Sequence, residues 1–305
     1  MQKMKLVGAS IIGLLLVTVA QGATLDQRHV AADAKWIFHA DLDELRASKV
    51  GSAVFKLLQA GPLKEANLKL AAKLGIELDF AKIHAITAYG SDFETEPDNN
   101  GVIMIQAGQD LSSALEALLK QPKDEVKVAK VTRDGLSLYS VNDEFHVTQL
   151  AGNVLVVSKA AESIVNARNV ISGKAANLAT GKGFTGYSAN LKPVFLIQAE
   201  GFNKQEKIPQ AAQFLKSSDG LRLAIGETEN NIQVALDLKA PNKETSNQLS
   251  QAVNGMIALF RLNQGNPGLT QLLNATQVKT SDNLVSVNLS FPIDQALKQL
   301  SERNP

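Results

Sequence analysis

VKVAKVTRDGLSLYSVNDEFHVTQLAGNVLVVS, residues 126–158, is the stretch that decides the fold class. Val126–Arg133, Leu136–Val141, Phe145–Leu150 and Val154–Ser158 are short runs of β-branched and aromatic residues with polar residues between them, the pattern of half-buried strands. Asp134-Gly135 and Gly152-Asn153 separate them. Asp-Gly between two such runs is a strong hairpin signal, because both turn residues accept a left-handed backbone. The stretch therefore reads as an antiparallel meander.

Working outward, a helix over Ala160–Ile171 follows and stops at Gly173. Upstream, Ile83–Tyr89 and Val102–Ala107 read as paired strands around the polar loop Ser91–Asn100, and Asp110 caps a helix reaching Leu118. Further upstream, WIFHADL (Trp36–Leu42) places Trp36, Phe38, Ala40 and Leu42 on one face of a strand. Asp43 then caps a helix carrying Val50, Val54, Leu57 and Leu58 and ending near Gly61. Pro62 opens a second helix, carrying Leu63, Leu70, Ala71 and Leu74.

Residues 174–191 read as a Gly/Ala/Asn linker, after which the order of elements starts again. Val194–Glu200 is a strand and 207–217 a short helix. Leu221–Glu227 and Ile232–Leu238 form a hairpin, and Lys243–Leu262 is the longest helix. Pro267 opens a helical turn, residues 276–281 pair with Leu284–Phe291, and Asp294 caps a last helix. Phe38-His39-Ala40-Asp41 sits where Ile197-Gln198-Ala199-Glu200 sits in the second half. The expectation is an α+β chain of two similar lobes, 23–173 and 192–305, arising by tandem duplication. Each lobe would be a mainly antiparallel sheet with helices on one face.

Lys3 and Lys5, an uncharged run Leu6–Ala20, and Ala20-Gln21-Gly22 before Ala23 make residues 1–22 a signal peptide, too short in its apolar run for a comfortable span. The chain is then exported, periplasmic or extracellular, with no stable membrane span after cleavage. It contains no cysteine, which excludes disulfides, thiol nucleophiles and thiolate metal sites. Of the 31 basic residues two belong to the signal, against 30 acidic ones, so the mature chain is near neutral and no nucleic-acid partner is expected. Aromatics at 5% argue against sugar- or base-stacking surfaces.

His39-x-Asp41-x-Asp43 could hold a divalent cation with an open position for a hydrolytic water. The competing reading makes His39 and Asp41 the wet face of the strand and Asp43 a cap, with Gln198 and Glu200 in the matching places. Asp92, Glu94, Glu96 and Asp98 could wrap Ca²⁺, but lack the EF-hand spacing and suit a solvated loop. GKGFTG (Gly181–Gly186) matches G-x-G-x-x-G, yet neither a preceding strand nor a following helix accompanies it, so it reads as linker. No Gly-x-Ser-x-Gly or Ser-x-x-Lys is present. Catalytic residues and cofactors are therefore expected to be none.

The segment ADAKWIFHADLDELRASKVG (residues 32–51) behind an export signal resembles the start of a group of uncharacterised secreted bacterial proteins. That resemblance implies export and brings no known activity. The functional expectation is a non-catalytic envelope protein that binds an unknown protein or small-molecule ligand. The alternatives are a metal-assisted hydrolase using His39 and Asp41, a carrier of an apolar ligand, and a structural component of an envelope assembly.

Overall fold

The computed structural model describes residues 24–303, apart from residues 66, 69–78, 94–99, 121–126, 188–190, 205–214 and 263–271. The signal segment 1–22, Glu94, Glu96, Asp98, Pro267, most of the helix expected at 207–217 and most of the helix expected after Pro62 lie outside the described residues.

In chain order the elements are β1 (Trp36–Asp41), α1 (Leu42–Ala47), α2 (Lys49–Ala60), β2 (Ile83–Gly90), β3 (Val102–Ala107) and α3 (Ser112–Lys120). The meander is β4 (Val128–Arg133), β5 (Leu136–Val141), β6 (Phe145–Leu150) and β7 (Val154–Ser158), followed by α4 (Ala161–Ile171). The second half contains β8 (Phe195–Glu200), β9 (Gly220–Glu227), β10 (Asn231–Lys239), α5 (Lys243–Leu262), β11 (Thr276–Ser281), β12 (Leu284–Pro292) and α6 (Ile293–Arg303). The Asp134-Gly135 turn has φ of 46° and 74°, the two left-handed residues that a tight hairpin connection requires.

Among the described residues the strands form one sheet of 12, in the order β11-β12-β10-β9-β8-β1-β2-β3-β7-β6-β5-β4, and every neighbour runs antiparallel. This corrects the expectation of two separate sheets: the halves join through β1 and β8, where Phe38 stands directly opposite Ile197. The helices also do not share a face. One face of the sheet carries Ile37, Tyr89, Val102, Met104, Val154 and Val156, packed under α4, the segment Val30–Ala34, and Leu178 and Phe184. The opposite face holds α5 over Leu221, Leu236, Leu238, Val285 and Val287, and α3 over Tyr139, Val147 and Leu155.

The stretch 174–191 packs against the body where it is described. Leu178 and Phe184 are in the core, and Ala31 bridges to Asn177. Tyr187 and Lys192 come so close over β9 that a Cβ on Gly220 would lie 2.0 Å from the Tyr187 hydroxyl. One on Gly226 would lie 2.4 Å from the Lys192 carbonyl. Glycine at both positions is what lets the crossing segment lie down on the strand.

Candidate functional site

Strand alternation puts Ile37, His39 and Asp41 on the α4-covered face of β1 and Trp36, Phe38 and Ala40 on the other. The expected wet face is in fact the buried one. His39 is 2% exposed and Asp41 fully buried, whereas Phe38 is 36% exposed. Burial is offset in part by partners, although Asp41 Oδ2 has none among the described residues. His39 Nδ1 and Thr87 Oγ1 are hydrogen-bonded at 2.9 Å, and Asp41 Oδ1 accepts from the Glu44 N–H at 2.8 Å. Asp41, and not Asp43, is thus the N-cap of α1.

Asp43 binds the Arg46 guanidinium and the His84 ring, its two oxygens 2.9 and 3.1 Å from Nδ1. The candidate triad is therefore split: Asp43 is engaged with His84 and Arg46, away from His39. Among the described residues no three His, Asp or Glu side chains form a group able to hold a metal. Asp92 accepts from the Asn100 amide, and its backbone carbonyl accepts from the Trp36 indole N–H at 3.1 Å.

Two cavities stand out, one on each face. On the α4 side, a cavity of about 280 Å³ spans the junction of the two halves. Its lining includes Leu25, His39, Phe184, Tyr187, Leu196, Gln198 and Arg222. His39 also lines a smaller neighbour of about 60 Å³, together with His29 and Thr87. Burial pushes the Tyr187 hydroxyl well above the ordinary tyrosine range, and the charge of Glu200 adds to the effect. Burial lowers the Arg222 guanidinium, opposed by the charge of Asp237.

On the other face, a cavity of about 440 Å³ lies between α5 and β9, β10, β11 and β12, lined by residues such as Leu223, Leu236, Val253, Met256 and Phe260. That size is in the range of small-molecule sites. The cavity is one part of a longer feature. Val278, Val287, Leu236, Leu223, Ile197, Phe38, Ala88, Ile103, Val157, Val147 and Tyr139 are directly paired from strand to strand. They form one apolar row across 11 strands. α5 covers one end and α3 the other, while Ile197, Phe38 and Ile103 in the middle are exposed. Sequence reading missed this row because it follows from register between strands far apart in the chain. The signal within reach was Phe38 and Ile197 in matched positions of the two halves.

No protein-family model matches the chain, and no curated protein matches it. Among solved structures, it is similar to crystal form III of TP0453 at TM-score 0.47 and 9% identity, covering 92% of this chain and 98% of that one. Crystal form IV of TP0453 gives TM-score 0.44 at 8% identity over 93% and 98%, and crystal form I gives 0.42 at 9% over 91% and 98%.

Proposed function

We propose that this chain is an exported, non-catalytic binding protein whose ligand is apolar and sits between α5 and the sheet. The observation that carries the reading is the apolar row, roofed by helices at both ends and bare at its centre. An exposed row of Ile197, Phe38 and Ile103 costs solvation free energy on the order of 25 cal/mol per Å². Its continuity with Leu223 in the wall of the 440 Å³ cavity offers a route for an apolar molecule from the surface to the site beneath the helix. Phe260 lines the same cavity and is 54% exposed, so α5 is lid and mouth together.

The chain descends from a tandem duplication. From the junction outward, β1-β2-β3-β7-β6 and β8-β9-β10-β12-β11 correspond strand for strand, β4 and β5 being the additional hairpin. Phe38 and Ile197, matched in the sequence echo, face one another across a local twofold. The signal peptide then delivers the two fused halves to the envelope.

Titration of the full mature chain with the uncharged fluorophore N-phenyl-1-naphthylamine tests the binding reading. Saturable binding is expected, and Met256→Trp, which fills the cavity from the helix side, weakens it at least about tenfold, equivalent to about 1.4 kcal/mol. A folded chain that takes up no probe, or a Met256→Trp variant that binds as well as the parent, overturns it.

A further inference from the structure

The junction cavity on the α4 face holds a polar group that the fold leaves unsatisfied. Arg222, at the middle of β9, is 8% exposed, and its Nη1 is buried without a hydrogen-bond partner among the described residues. Leaving a charged donor buried and unpaired is among the more costly things a fold does. The nearest countercharge relieves it only in part. Asp237 stands opposite Arg222 on β10, but its Oδ1 accepts from the Ser286 hydroxyl at 2.6 Å. On the other side Gln198 stands opposite Arg222 on β8, so a guanidinium and a carboxamide are neighbours in one wall of the cavity. The remainder of the lining is mixed, with Leu25, Phe184, Pro193 and Leu196 on the apolar side and Thr24, Gln27, His39 and Tyr187 on the polar side.

We propose that this cavity is a binding site for a small organic carboxylate, its carboxyl group held by Arg222 and Gln198 and its apolar body enclosed by Leu25, Phe184, Pro193 and Leu196. A planar carboxylate matches the forked donors of a guanidinium and supplies the missing acceptor at Nη1. Lys239 lies 3.8 Å from Glu200 and offsets that acid, and the Asp237 carboxylate is engaged by the Ser286 hydroxyl, which leaves Nη1 of Arg222 as the donor open to an anion. The site is on the opposite face from the α5 cavity, and its occupancy is independent of the apolar ligand.

The experiment is calorimetric titration of the full mature chain with hexanoate, benzoate and the neutral isostere hexanamide. At least one acid binds saturably, hexanamide at least about tenfold more weakly, and Arg222→Met removes the binding. Since a buried arginine can be needed for folding, Leu196→Trp serves as the second variant: it fills the cavity, leaves Arg222 in place and also removes acid binding. Met256→Trp leaves acid binding unchanged, which separates this site from the α5 cavity. The proposal is overturned if neither acid binds, if hexanamide binds as well as hexanoate, if Leu196→Trp retains binding, or if Met256→Trp abolishes it.

Discussion

Gly226 shows how one residue decides whether the segment after the first half can cross the sheet. Gly220, Ala224 and Gly226 lie on the same side of β9 as Arg222, and the Lys192 carbonyl passes where a Cβ of residue 226 would stand. The neighbour in the way is backbone, which cannot swing aside as a side chain would. Gly226→Ala is therefore expected to destabilise the fold by about 1–3 kcal/mol, read as a lowered urea midpoint with an unchanged slope. A midpoint within error of the parent would mean that the crossing segment has room to lift. The same passage defines the junction cavity, since Tyr187 and Pro193 are in its wall. Residue identity alone identified this segment as Gly-rich. What it could not convey is that the glycines of β9, not only those of the segment, mark a close backbone approach.

At the scale of elements, most strand ends were legible because turn chemistry is local. Val102–Ala107, Leu136–Val141, Phe145–Leu150 and Val154–Ser158 are as read, each bounded by residues that accept turn geometry within two or three positions. Which face is buried was not legible. β1 alternates two sets that could each be covered, and the decision rests on where α4 and Val30–Ala34 land. α2 shows a second kind of long-range information. Its N-terminus is capped by Ser48, which accepts from the Gly51 N–H, and also by Glu227 from the end of β9. The Glu227 carboxylate accepts from the backbone N–H groups of Lys49, Val50 and Gly51 at 2.8, 2.9 and 3.1 Å. A carboxylate there satisfies orphan donors and complements the helix dipole. Glu227→Ala is expected to cost about 1–2 kcal/mol and to raise hydrogen exchange in the first turn of α2 before the rest of the helix. Uniform exchange across α2 would mean that Ser48 suffices. No local pattern points to this cap, because its partners are about 180 positions apart.

At the scale of the whole molecule, the sequence of strands and helices was legible and the way the halves meet was not. A first strand at the start of each half reads equally well as an edge or as a centre. Pairing β1 with β8 removes both edges at once, and buries Gln198 and Leu196 beside Ile37 and His39. The consequence is that the halves share core and caps: Val50 and Val54 pack with Phe291, Ile293 and Ala296, Leu45 and Phe55 pack with Val194, and Glu227 caps a helix of the first half from the second. Trp36 is the sole tryptophan, and it is in β1, directly at this junction. Its fluorescence reports the junction, while far-ultraviolet circular dichroism reports strands and helices throughout. If the sheet is one cooperative unit, urea unfolding followed by the two signals gives coincident single transitions. If the halves unfold independently, the dichroism transition splits or begins before the Trp36 signal moves, and the junction is then a contact between two folded units rather than the centre of one sheet.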